Sequence, residues 1–393
     1  MAEFLIAGGG IAGSALAIML GRQGRTVELF ERREFPREKP CGEGLMPAGV
    51  AVLNQLGLAK ETGGVAFRGV RYHLGSRRVE GRFPRIPGFP GYGIGQRRYR
   101  LDCALFQAAS ATPGVSARTG APVESLLREN GRVTGAVIGG KAHHADFVIA
   151  ADGSHSEIRS LLGWSLPPVR KRIGARAHFR LASGRPQNPW VNIVLVPQGE
   201  FYVTPLPGDE VGLALLTQGD ALEPTLEASF AHWRRQEPFL AAYLEGAEQV
   251  TELLAMSPLS SRSRFGSAPG VVLLGDAAGS TDPVTGGGMA QALLCALLLA
   301  RYLSLHNAGD ATWLPLFERD RRALLKDYQQ LTAHVLRLEG RPRLAAFSLR
   351  LLDTWPGLLS HLVGVAGGLK PLVGFRSATE TLLPELRLAH SPD

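Results

Sequence analysis

Apolar and polar positions along the chain fall into two alternating rhythms. FLIA (residues 4–7) and TVELFE (26–31) read as strands, and the IAGSALAIMLGRQG between them reads as a helix ending near Gly21 or Gly24. RLDCALFQAASATPGV has helical periodicity and leads to a hairpin-like region around ENGRV, after which ADFVIAADG is a strand meeting another turn. From Arg170 to about Leu216 the pattern alternates (WVNIVLV, EFYVTPL, EVGLALL), and LEASFAHWRRQEPFLAAYLEG follows as one helix. GVVLLGDAAG near residue 271 returns to strand and turn, and everything after 286 reads as helices. Strand-helix units on both sides of a β-rich insertion predict one discontinuous nucleotide domain (1–65, 98–165 and 268–310). It carries a β-sheet substrate domain (66–97 and 166–267), and a helical segment (311–393) follows.

Composition narrows the function rather than the fold. With 393 residues, 45% of them apolar, the chain can fill a sizeable core in two or three units. The balance of 43 Lys+Arg against 35 Asp+Glu is basic, but arginine is scattered and no run of five or six basic residues occurs, so no nucleic-acid partner is expected. Cys41, Cys103 and Cys295 are too far apart for a metal-ligand cluster or a disulfide framework, which predicts no metal and a reducing compartment. MAEFLIAGGG is neither a signal peptide nor an anchor, and the long apolar stretch near the C-terminus is broken by Arg350, Asp353, Pro356, His361 and Lys370. A cytoplasmic protein without a transmembrane segment is expected, with peripheral membrane contact left open.

Three motifs carry chemistry. GGGIAG places Gly8, Gly10 and Gly13 in G-x-G-x-x-G spacing between strand and helix. Such glycines permit a tight turn and close approach to a pyrophosphate at a helix N-terminus. Glu31 ends the next strand, where an acid accepts ribose hydroxyls and disfavours a 2′-phosphate, so FAD or NAD fits better than NADP; Arg32 beside it joins the cofactor candidates. The second motif is ADGSHSEIR, with Asp152, Gly153, Ser156 and Arg159, and the third is LGDAAGSTDPVTGGGM, with Asp276, Pro283 and Gly286 to Met289.

The three in this order, spanning residues 8 to 289, resemble the FAD-dependent oxidoreductase superfamily that includes aromatic hydroxylases, flavin halogenases and geranylgeranyl reductases. The resemblance implies an α/β fold: a Rossmann-like FAD-binding domain of the para-hydroxybenzoate hydroxylase type with a β-rich substrate domain and C-terminal helices. It implies noncovalent FAD, with Asp276 on the ribityl chain, Asp152 and Gly153 beside the first motif, and Arg159 in a fold contact. RRYRLD resembles the family's R-x-x-L-D stretch and makes Arg98 a candidate for the FAD phosphate or ribityl region. Glycines 286–288 let the backbone reach the flavin ring, Pro283 shapes the approach, and the amides around Met289 meet the ring's negative charge.

No second dinucleotide motif appears, so NAD(P)H is expected as a transient co-substrate. The substrate domain reads EFYVTP at 200–205, without the tryptophan signatures of halogenases or reductases, whereas GDAAG and DPVTGGG resemble the reductases and halogenases and PCGEGLMP the reductases. The expected activity is hydroxylation of an apolar or aromatic, polyketide-like small molecule with NAD(P)H and O2 through a flavin C4a-hydroperoxide. The alternative is reduction of isoprenoid double bonds; halogenation and a non-catalytic lipid-escort role follow behind. A long apolar tunnel suits isoprenoids, and a compact polar-ended pocket suits phenols. His178 and Tyr202 in the β-rich domain are the catalytic candidates, with Glu200, two positions before Tyr202 in the same stretch, as another base.

Overall fold

The computed structural model describes residues 2–182, 188–222, 224–306, 310–339, 341–374 and 377–382. The strand Ala2–Ala7 pairs in parallel with Val27–Phe30 on one side and with Lys141–Ala150 on the other. Val115–Arg118 and Val271–Leu273 extend this parallel sheet in the two directions, and Ser267–Ala268 adds an antiparallel edge. In this register Ala7 lies opposite both Phe30 and Ala150, and Ala150 lies opposite Leu273. The strands therefore end together, and the turns that follow three of them, at Gly8, Asp152 and Gly275, stand side by side at the carboxyl edge. Ligands of open α/β sheets bind at that edge.

The hairpin read at ENGRV forms between Val123–Glu129 and Arg132–Ile138, and Arg132–Ile138 pairs in turn with Lys141–Ala150. The helices Ile11–Arg22 and Gly288–Leu305 pack on each other against the sheet. Among the described residues, Gly288–Leu305 alone is long and apolar enough to cross a membrane, and here it forms part of the main core with Leu293, Leu294, Ala296 and Leu299.

The second sheet runs in the order Glu248–Gln249, Arg172–Arg180, Glu210–Gln218, Gly199–Leu206, Val191–Val196, Gly69–Leu74, Arg77–Arg82. Its pairings are antiparallel apart from the parallel one between Val191–Val196 and Gly69–Leu74. Side chains alternate between its faces. Ala175, Ala177, Phe179, Phe201, Val203, Leu213 and Leu215 pack against Phe230, Trp233 and Leu240 of the covering helices. The opposite parity brings Arg172, Arg176, His178, Glu200, Tyr202 and Thr204 to the face turned towards the first sheet's turns. The single helix expected over LEASFAHWRRQEPFLAAYLEG is broken into Leu226–Gln236 and Pro238–Tyr243. Pro238 disfavours helical backbone at Glu237, which instead caps the second piece by accepting from the Leu240 amide at 2.8 Å. The helix Leu314–Leu336 packs on Gly288–Leu305 and on the turn Pro283–Thr285, while Pro356–Ala366 packs on the Arg77–Arg82 edge.

Candidate functional site

The three glycines of the first motif do three different things. A Cβ on Gly8 (φ +108°) would lie 2.3 Å from the Ala151 carbonyl oxygen, and one on Gly13 would lie 1.9 Å from the Gly8 oxygen. Both are forced by chain packing. A Cβ on Gly10 would meet only Arg37 Nη2 at 3.6 Å, so this position is open. Gly10, Ile11 and Ala12 line a cavity, and Gly10, as the helix N-cap, offers no side chain to the first-turn amides. That open cradle at a helix N-terminus has the geometry a pyrophosphate requires. Glu31 is buried and accepts from the Gly9 amide at 3.0 Å and the Arg33 amide at 3.1 Å, whereas Arg32 is exposed beside it.

Residues 39–44 line the cleft's other wall. Arg37 lies 3.4 Å from both Glu31 and Asp102, reaching over the glycine turn. Arg98 lines the cavity and is held by a two-pronged ion pair to Asp102, with distances of 2.6 and 2.8 Å. Lys39 and Cys41 line the same wall; desolvation and then the Arg98 guanidinium push the Lys39 ammonium down. Glu43 sits at φ +60°, unusual for a residue with a side chain. It is held by the Gln96 amide on its carbonyl (3.0 Å) and the Arg98 amide on its carboxylate (2.9 Å).

Arg159 fastens the second motif to the third, donating to the Ala277 carbonyl at 3.0 Å and to the Asp276 carbonyl at 3.3 Å. The Asp152 carboxyl is pushed up by burial; its Oδ2 accepts from the Ile158 amide and its Oδ1 is buried without a partner. Asp276, Pro283, Gly286, Gly288 and Met289 line the cavity. Gly287 does not: its amide donates to the Tyr328 hydroxyl at 2.9 Å, and the Tyr328 ring covers the position a Cβ would take. The amides left for a flavin at this turn are those of Gly288, Met289 and Ala290 at the start of Gly288–Leu305.

From this edge the cavity, about 1510 Å³ in volume, continues along the inner face of the second sheet to the helices Pro342–Thr354 and Pro356–Ala366. It exceeds the roughly 300–1,000 Å³ typical of a single small-molecule site, so it has volume for more than one such molecule. Val70, Leu74, Ile193, Leu195, Leu216, Leu259, Leu349, Leu352, Leu359 and Val363 make much of the wall beyond the turn.

A charged node sits where the wall meets the turn. Arg172 pairs with Asp282 at 2.6 Å, Glu200 at 2.7 Å and Glu339 at 2.8 Å, joining the flavin turn, the second sheet and the C-terminal helices. Burial, opposed by Arg172 and aided by Glu339 and Asp282, pushes the Glu200 carboxyl up to about 7. Asp282 also accepts from the Val284 amide at 3.1 Å, and Tyr202 donates its hydroxyl to the Val284 carbonyl at 2.6 Å. Tyr202 lines the cavity with its phenol proton committed to the backbone. Tyr72 lines it too, its phenol pushed up to about 12 by burial and then Glu200.

His178 is buried behind the wall. Its Nε2 lies 2.6 Å from Glu43 Oε2 and its Nδ1 lies 3.0 Å from the Thr251 hydroxyl and 3.1 Å from Arg176 Nη1, so it reaches the cavity through Glu43 and Arg176 rather than directly. Glu38, Glu43 and His178 gather closely enough to hold a metal ion. Arg176, 2.8 Å from Glu38 and 3.7 Å from Glu43, already supplies the positive charge there.

Sequence reasoning assembled the three turns but missed Arg37, Lys39, Glu43, Arg172 and Tyr328. Arg172 had a signal: it shares strand parity with Arg176 and His178, and two such arginines on a buried face require partners. Tyr328 had none, since its partner is a backbone amide 41 residues away.

A glycine cradle, two acids and a second helix N-terminus around one cavity define an FAD-dependent oxidoreductase. The chain belongs to the FAD binding domain family, whose model matches residues 1–332. It is 29% identical to a menaquinone reductase of Mycolicibacterium smegmatis, over 79% of this chain and 78% of that protein. It is 28% identical to the squalene epoxidase erg1 of Schizosaccharomyces pombe, over 79% of this chain and 70% of that protein. It is also 28% identical to 6-methylpretetramide 4-monooxygenase of Streptomyces rimosus, over 74% and 72% of the two chains. The fold is shared with the chondrochloren halogenase CndH (TM-score 0.76, 23% identity, 100% of this chain and 98% of that one). A geranylgeranyl bacteriochlorophyll reductase-like protein of Thermoplasma acidophilum shares it as well (TM-score 0.74, 20% identity, 99% and 97%).

Proposed function

We propose that this flavoenzyme hydroxylates an aromatic ring bearing a long apolar chain: ring–H, O2, NAD(P)H and a proton give ring–OH, NAD(P)+ and water. The observation that carries this reading is the cavity's two-part character, polar at Tyr72 and Glu200 beside the flavin turn and aliphatic from there to the C-terminal helices. A phenolic head with an apolar tail matches both parts.

FAD supplies the electron transfer and oxygen activation. Gly8, Gly10, Gly13, Glu31, Arg32, Arg98, Asp152 and Asp276 hold its nucleotide and ribityl parts in this reading, and Pro283, Gly286, Gly288 and Met289 meet its ring. Gly287 contributes indirectly, through Tyr328. Glu200, with its carboxyl near 7, accepts the substrate's phenolic proton and so enriches the ring in electrons. Arg172 and Tyr202 fix the turn against which the ring rests, and His178 orients Glu43 from behind. The apolar walls exclude water from the reacting end.

A second reading, saturation of an isoprenoid double bond, is favoured by the length of the aliphatic cavity, by PCGEGLMP and by the menaquinone reductases among the relatives. Turnover under isotopically labelled O2 tests the choice, using phenols with alkyl tails of increasing length and, in parallel, polyprenyl compounds. Label in the product and a kcat/KM that rises with tail length are expected. Oxygen-independent saturation of a polyprenyl chain overturns hydroxylation in favour of the second reading.

A further inference from the structure

The helix Pro342–Thr354 has two apolar stripes side by side. Ala345, Ser348, Leu349 and Leu352 face the cavity. Leu344, Phe347, Leu351 and the following Trp355 recur at spacings of three and four and are exposed, Phe347 at 62% and Trp355 at 60%. Leu344 and Leu351 belong to both stripes, and Val373, 87% exposed, lines the cavity as well. The mouth of the cavity is thus rimmed by apolar side chains turned to solvent. On a helical wheel Arg343 and Arg350 fall together just beyond Phe347, on the solvent flank, and both are exposed.

We infer that this face is a membrane-docking surface, which seats the cavity mouth on a bilayer containing anionic lipid and lets apolar substrate enter without crossing water. An exposed apolar stripe ending in an aromatic residue and flanked by arginines is the pattern of a helix lying in the interface plane. Arginines at the flank complement anionic headgroups, which commits the face to a lipid surface rather than to an acidic protein groove. The largely aliphatic cavity wall runs on from the same helix, with Arg337 and Arg341 also on the lining, so a tail leaving the bilayer passes mainly apolar side chains. The inference rests on the apolar-tail reading above for its purpose, but its test measures lipid binding without substrate, so either can fail alone.

The FAD-loaded protein is floated with vesicles of phosphatidylcholine alone and of phosphatidylcholine with phosphatidylglycerol. It is expected to float with the mixed vesicles and to bind the neutral ones less. The double substitution Phe347→Glu, Trp355→Glu, at side chains that do not line the cavity, is expected to cut vesicle binding about tenfold or more while the flavin stays bound. Arg343→Gln with Arg350→Gln is expected to remove the preference for phosphatidylglycerol and leave the weaker neutral binding. Wild-type protein that stays with the soluble fraction in both mixtures, or a Phe347→Glu, Trp355→Glu variant that floats as well as wild type, overturns the proposal. So does a concentration-dependent dimer in solution that the same double substitution dissolves, since the face would then belong to a second copy.

Discussion

The hydroxyl of Tyr328 accepts the amide proton of Gly287 at 2.9 Å, tying the helix Leu314–Leu336 to the glycine turn at the start of Gly288–Leu305. Tyr328→Phe leaves that buried amide unsatisfied, a cost of about 1–3 kcal/mol. The variant should unfold at a lower temperature and hold FAD more weakly, both read by thermal unfolding with and without added FAD. An unchanged transition would mean that water replaces the hydroxyl and that the tie is dispensable.

Gly10 and Gly8 should respond differently to the same substitution. Gly10 has φ −77° and open space where a Cβ would go, so Gly10→Ala should fold normally and lose FAD affinity by about tenfold or more. Gly8→Ala meets the Ala151 backbone and requires φ +108°, and should destabilise the fold by about 3 kcal/mol or more. Circular dichroism and FAD titration on the pair separate the two effects.

Among the acids, Asp276→Ala should cost FAD affinity roughly ten- to a hundredfold, the value of one lost charge-assisted hydrogen bond. Glu31→Ala should do the same and also lower apoprotein stability, because Glu31 holds the Gly9 and Arg33 amides. Equal apoprotein stabilities for the two variants would remove the structural role given to Glu31.

Glu200 sets a pH dependence whose sign follows from its raised carboxyl. In the proposed reaction the carboxylate is the base, so kcat/KM should fall as pH drops below about 7, and Glu200→Gln should flatten that limb of the profile. The folded value lies above the ordinary 4.5, so this group's stabilising contribution is complete below 4.5 and lost as pH rises towards about 7. Denaturant unfolding of the wild type and Glu200→Gln across that range checks the second statement independently of turnover.

The parallel sheet and the three turns at its edge were legible because each motif combines a local apolar run with glycines that have few other uses. The hairpin at ENGRV followed from its turn residues and the second sheet's strands between about 170 and 216 from alternation, whereas its strands Gly69–Leu74 and Arg77–Arg82 were not read. What escaped was set by distant partners. Arg172 gathers acids from 28, 110 and 167 positions further along the chain, and Tyr328 acts on a backbone amide. The break at Pro238 was visible in the sequence, but the helical periodicity on both sides outweighed it. The helix Pro342–Thr354 was read as helical, apolar and too interrupted to span a membrane; that one flank of it rims the cavity emerged from the packing.

The register that aligns the three turns also orders events in time. The cradle at Gly10 leaves the ribosome early, yet its third wall, at Gly275, follows 265 residues later. At about 5–20 residues per second that interval is roughly 13–53 s. Through it the half-built cleft has no closing strand, and for about its first half Ala2–Ala7 waits beside Val27–Phe30 without Lys141–Ala150. Cofactor loading is thereby deferred until most of the chain exists, and capture of FAD becomes a report that Val271–Leu273 has found its place in the sheet.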